Sequence, residues 1–239
     1  MAAIPNPQRS AKQKHLYTFF AITAAVIVFA GFAQTYYLKT FFANEALPLL
    51  LHFHGLVMTS WFVLFFVQAR LVASHRVDLH RRLGIFGAVL ALLVVVLGMT
   101  VIVSAAARPH EDPGDTRFFL ELLCFSLIQL SVFAGLVGGA IAFRRRSDIH
   151  KRLMLLATLM LLPSALSRIP LNFIHQGDLN TLLLVDLCIL VCIAVDTFRQ
   201  RRLHPVFAWG GLLVIGSMHL GDIGGQTETW INFATLILR

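Results

Sequence analysis

Seven apolar segments, each near the length of a bilayer crossing, follow one another along the chain: about 17–38, 48–70, 83–104, 118–143, 152–172, 180–198 and 205–220. A membrane-spanning helix needs about 20 such residues. Inside hydrocarbon the backbone must satisfy its own hydrogen bonds, and a run of this length does so as a helix. The expectation is an all-α, polytopic integral membrane bundle of seven transmembrane helices, a single domain over residues 1–239. Only 13% of residues are charged and 57% are hydrophobic, against about 25% charged in an average soluble domain. That balance excludes a soluble globular protein and a disordered chain.

The net charge of +8 would suit nucleic acid if it were spread over one face. It is not. All of the 20 Lys and Arg residues except Lys39, Arg108, Arg117, Arg168 and Arg239 fall in four stretches: the amino-terminal tail (Arg9, Lys12, Lys14), 70–82, 144–152 and 199–205. These stretches alternate with apolar spans, so all four lie on one side of the membrane. Cytoplasmic loops carry the Lys/Arg excess. The amino terminus is therefore expected inside and the carboxyl terminus outside, with the lipid bilayer as partner and no nucleic acid. Gly31-Phe32-Ala33 resembles a small-x-small cleavage site, but the apolar run before it is long for a signal peptide, so an uncleaved first span is expected. Cys124, Cys188 and Cys192 lie in apolar runs without a C-x-x-C spacing and read as packing residues.

Asp78-Leu79-His80-Arg81-Arg82-Leu83 recurs as Asp148-Ile149-His150-Lys151-Arg152-Leu153, 70 residues later, and Arg202-Leu203-His204-Pro205 is a looser third version. Each copy opens a span. Asp is a good helix cap, Pro205 suits a first helical turn, and Lys/Arg reach toward headgroups. On this reading Asp78, His80, Arg82, Asp148, His150 and Arg152 are interfacial anchors. A functional reading makes the histidines headgroup-phosphate binders or proton relays.

Ionisable residues within a span are costly, and each is a candidate site residue. His54, Glu121, Arg168, Asp186 and His219 all fall near the extracytoplasmic ends of their spans, and the inner half of the bundle is poorer, with Gln68, Gln129 and Asp196 as its main polar side chains. The asymmetry predicts a polar pocket opening outward. His54, Trp61 and Gln68 are spaced by seven and share a helix face, while His52 points nearly the opposite way. Pro163 and Pro170 loosen span five beside Arg168 and free backbone carbonyls. Arg168 stays charged and calls for an anionic partner, with Glu121 and Asp186 at matching depth and Asn172 beyond it.

Three classes of function fit these residues. The pocket binds or moves a small, anionic ligand or protons, with His54, Glu121, Arg168, Asp186, His219 and Trp61 lining it. A membrane enzyme instead holds a metal ion on His54, His219 and Glu121, or a haem between paired histidines. A third reading is a polar packing network with no ligand. Retinal is disfavoured because span seven has no lysine, and no phosphate-binding glycine loop or serine nucleophile elbow occurs.

Leu51-His52-Phe53-His54-Gly55, followed by Ser60-Trp61, Gln68 and Asp78-Leu79-His80-Arg81-Arg82-Leu83-Gly84, resembles a group of bacterial multi-pass membrane proteins. The resemblance is strongest over about residues 50–100. It implies a bacterial inner-membrane location and supplies no reaction. Zinc hydrolases of the adiponectin-receptor and alkaline-ceramidase type share the helix number, but their paired span-seven histidines are missing here.

Overall fold

A computed structural model describes residues 7–42, 46–169 and 179–238, with side chains from Leu16 onward. Among the described residues the secondary structure is helical. The helices are α1 (Pro7–Phe32), α2 (Leu49–Ala73), α3 (Val77–Ala106), α4 (Pro113–Ala142), α5 (Ser147–Leu159), α6 (Pro163–Leu166), α7 (Leu179–Gln200), α8 (Pro205–Gly225) and α9 (Glu228–Leu238). Seven spans, with α5 and α6 forming one of them, are long and apolar enough to cross a membrane. The chain is built as a multi-pass membrane protein. Large apolar side chains such as Phe19, Ile85, Leu92, Leu187 and Trp209 point outward from the bundle, where lipid tails solvate them.

The helices outrun the apolar segments. α3 starts at Val77 and α5 at Ser147, so Asp78 and Asp148 sit in first helical turns rather than at caps. There a carboxylate still meets the positive end of the helix dipole. Pro205 does open α8, behind His204, whose Nδ1 accepts from the Val206 amide at 3.2 Å. α2 ends with His75 in the left-handed region (φ 61°). The Arg76 amide returns to the Leu71 carbonyl and the His75 amide to Val72, a closure that satisfies the last carbonyls of the helix.

α1 to α4 pack as sequential neighbours, and α4 continues onto α8. α5 and α6 run through the middle, touching α1, α4, α7 and α8 between them. Span five is the least apolar of the seven and the most enclosed. The two facts fit, because a helix shielded by protein does not have to satisfy lipid. Its Leu155, Leu156, Ala157 and Met160 are fully buried. Pro163 breaks it: α5 stops at Leu159 and α6 restarts at Pro163. Proline has no amide to give the preceding turn. The Met160 carbonyl at this break accepts from Gln129 Nε2 at 2.7 Å. Pro170 and Asn172 lie outside the described residues.

α9 folds back on the ends of α3 and α4. Trp230, Ile231 and Ala234 pack with Ile102, Ala106, Leu120 and Leu123, and Trp230 Nε1 donates to the Leu120 carbonyl at 2.7 Å. Beside it α8 approaches α4 so closely that a Cβ on Gly225 would stand 2.7 Å from the Glu121 carbonyl oxygen.

Candidate functional site

The turns α2–α3, α4–α5 and α7–α8 share one end of the bundle, termed the basic end. The opposite, far end holds the α3–α4 turn and the start of α9.

At the far end a cavity of about 150 Å³ opens between α4, α6, α7 and α8. Its polar lining is Glu121, Ser164, Ser167, Thr181, Asp222 and Gln226, set among Phe118, Leu122, Phe125, Pro163 and Leu182. Glu121 Oε1 accepts from Arg117 Nε at 2.8 Å, one turn back on α4. Arg117 also reaches Glu228 Oε1 at 2.8 Å and the Gln226 carbonyl at 3.0 Å. Asp222 Oδ2 accepts from Gln226 Nε2 at 3.2 Å. The wall therefore presents carboxylates and hydroxyls, a set that favours a ligand with hydrogen-bond donors.

The other expected pocket residues distribute around this cavity rather than converging in it. His219 Nε2 and Asp186 Oδ2 are 2.8 Å apart, bridging α8 and α7. Arg168 donates to the Ser164 carbonyl and stacks over the Phe32 ring, 4.9 Å from its centre. Among the described residues Arg168 meets no carboxylate. The pairing expected with Glu121 or Asp186 is not made, because those acids already answer to Arg117 and His219. His54 is half-buried on α2, within electrostatic reach of Arg168, and His52 beside it is exposed. Tyr36 packs against His52, with its hydroxyl donating to the His52 carbonyl at 3.2 Å.

Trp61 is not a pocket-lining residue. It is 2% exposed in the core, edge-on to Phe133 with ring centres 5.0 Å apart. The shared face of His54, Trp61 and Gln68 nevertheless points into protein. His54 Nδ1, Trp61 Nε1 and Gln68 Oε1 are all buried with no hydrogen-bond partner among the described residues. No group of three or more His, Cys, Asp or Glu side chains among the described residues is placed to share a metal ion. His54, His219 and Glu121 are thus not assembled as a metal centre.

The basic end holds what sequence reasoning missed. Arg152, expected as an interfacial anchor, is 2% exposed. Its Nη2 and Nε lie 2.6 and 3.0 Å from Asp196 Oδ2, and its Nη1 donates to the Asp148 carbonyl at 2.7 Å. Tyr17 OH donates to Asp196 Oδ1 at 3.4 Å, and the guanidinium lies 5.4 Å from the centre of the Phe207 ring. α5 begins five residues before Arg152, so this arginine is already more than a turn inside the helix and faces α7. Asp148 Oδ2 accepts from His204 Nε2 at 3.3 Å, tying α5 to α8. The available sequence signal was Asp196 itself, the one acid in the basic-end half of span six. His80 and His150 meet across α3 and α5. No protein-family model, curated protein or solved structure matches this chain.

Proposed function

We propose that the protein binds a small, hydrogen-bond-donating or cationic ligand in the far-end cavity. The basic loops would face the cytoplasm, so the cavity opens to the extracytoplasmic side of a bacterial inner membrane. The observation that carries this reading is the lining: two carboxylates, two serines, a threonine and a glutamine around one apolar-floored space. A cavity of this volume suits a molecule about the size of benzene. Asp222 and Glu121 would accept the ligand's donors. Arg168 would hold Ser164 and Ser167 in place from behind rather than meet an anion, and His219–Asp186 would exchange protons beside the site. This lining fits a donor-rich ligand better than the anion expected from Arg168 alone. Transport of such a ligand, or of protons with it, extends the same reading.

The test is a thermal-shift screen of detergent-purified protein against small amines, polyols and monovalent cations. A compound that raises the melting temperature of the native protein, and loses that effect in Asp222→Asn and Glu121→Gln, supports the site. A panel that shifts none of the three proteins, or shifts all three equally, overturns it.

A further inference from the structure

The internal repeat places a histidine at the fourth residue of α3 and of α5, and the fold brings the two together. The rings of His80 and His150 have centres 6.1 Å apart and planes crossing at 84°. A backbone carbonyl holds the His150 ring from behind. His150 Nδ1 lies 2.8 Å from the Ala140 carbonyl oxygen. A carbonyl only accepts, so Nδ1 carries the proton and Nε2 of the neutral ring keeps its lone pair. His80 Nδ1 is buried and has no partner among the described residues. In the tautomer with its proton on Nε2, His80 offers Nδ1 as a bare acceptor. Gln68 adds a third acceptor: Oε1 is also buried without a partner. Its amide lies over Gly84, with Nε2 4.0 Å from where a Cβ would stand. Gly84 is one turn beyond His80 on the same face of α3.

We infer that His80 and His150 form a two-imidazole site for a divalent transition-metal ion of the copper and zinc class, with Gln68 Oε1 as a further donor. His80 Nδ1 and Gln68 Oε1 are buried with no donor among the described residues, His150 keeps a lone pair on Nε2, and a cation supplies a partner for all three. Backbone carbonyls fixing one ring nitrogen so that the other stays free is the usual way proteins orient metal-binding histidines. With metal–nitrogen bonds of about 2.0–2.1 Å, a metal shared by two imidazoles puts the ring centres roughly 5–6.5 Å apart, and the observed spacing falls in that interval. Imidazole suits copper, zinc and nickel, and copper(II) binds most tightly among them. The charge of Arg81 reaches His80 and weakens any cation here. This site lies at the opposite end of the bundle from the cavity and stands independently of the ligand proposed there.

The experiment is a copper(II) titration of the full chain, purified in detergent without a polyhistidine tag. Electron paramagnetic resonance counts the bound ion and its nitrogen ligands. One equivalent with two imidazoles in its pulsed spectrum is expected, and at least a tenfold weaker affinity in His80→Asn and in His150→Asn. Far-UV circular dichroism checks that each variant keeps its helices. Absence of a bound equivalent, one imidazole or none in the native protein, or undiminished binding in folded variants overturns the site. The imidazole count on the native protein decides the matter even if both variants unfold.

Discussion

At the basic end a guanidinium and a carboxylate are sealed together, Arg152 and Asp196 at 3% and 1% side-chain exposure. At the far end Arg117 and Glu121 make a contact of 2.8 Å at 44% and 28% exposure. The chemistry is the same, and the burial is not. In a low-dielectric interior two charges attract strongly, but each has lost its water, so the pair holds only while both members and their hydrogen bonds remain. At a wet surface the same contact is screened and contributes little. The bundle is closed by charge at one end and left open by it at the other. A cavity forms at the open end, and the carboxylates there keep lone pairs to offer.

The sharpest way to break this comparison is Asp196→Ala. It leaves the Arg152 guanidinium buried with Tyr17 and carbonyls alone, and a loss of about 3–5 kcal/mol is expected. The readout is the thermal or denaturant unfolding midpoint in detergent. Arg152→Met combined with Asp196→Leu should recover most of that loss, since replacing both charges removes the desolvation penalty as well. If the double variant were as unstable as the single one, the pair would be holding the helices by more than charge.

A smaller effect comes from packing at the far end. A Cβ on Gly31 would overlap the Ala165 carbonyl, so α1 and α6 meet backbone to backbone. Gly31→Leu should push them apart at roughly 1–3 kcal/mol, again read from the unfolding midpoint. Tyr17→Phe removes a single long hydrogen bond to Asp196, and about 0.5–1.5 kcal/mol is expected. Arg117→Gln is the smallest: it should leave the unfolding midpoint at physiological salt unchanged, because the lost contacts are exposed. A marked drop would mean that membrane or α9 shields Arg117 more than its exposure indicates, and the contrast between the two ends would narrow.

The position of each span along the chain was legible in the sequence, and azimuth was not. The spacing of apolar runs located all seven spans, and Pro163 marked the break in the fifth. Heptad spacing put His54, Trp61 and Gln68 on one inward face. Which helix stands opposite that face depends on how helices are arranged around one another, and no local pattern encodes that arrangement. Arg152 shows the limit most clearly. It abuts the apolar run that starts at Leu153, so it reads as a flank, yet the helix begins at Ser147 and carries it inside. Its partner Asp196 was visible only as an isolated acid. Arg168 was matched to acids at equal depth, but depth alone could not show that Arg117 and His219 had already taken them. α9 escaped because 11 residues are too few to cross a bilayer, and a search for spans passes over an amphipathic turn-back.

The central position of span five also sets a timetable for biogenesis. Arg152 and Asp196 are 44 residues apart, so at a synthesis rate of about 5–20 residues per second the arginine emerges roughly 2–9 seconds before its counter-ion exists. Through that interval the least apolar helix of the chain has to wait without the neighbours that will enclose it. A charge at the centre of a helix costs about 2.5–3.5 kcal/mol on insertion scales, and one near the end costs less because it can stay at the headgroups. Span five is therefore the helix expected to linger at the insertion machinery until α7 arrives, and nascent chains ending before Asp196 should be the ones it releases last.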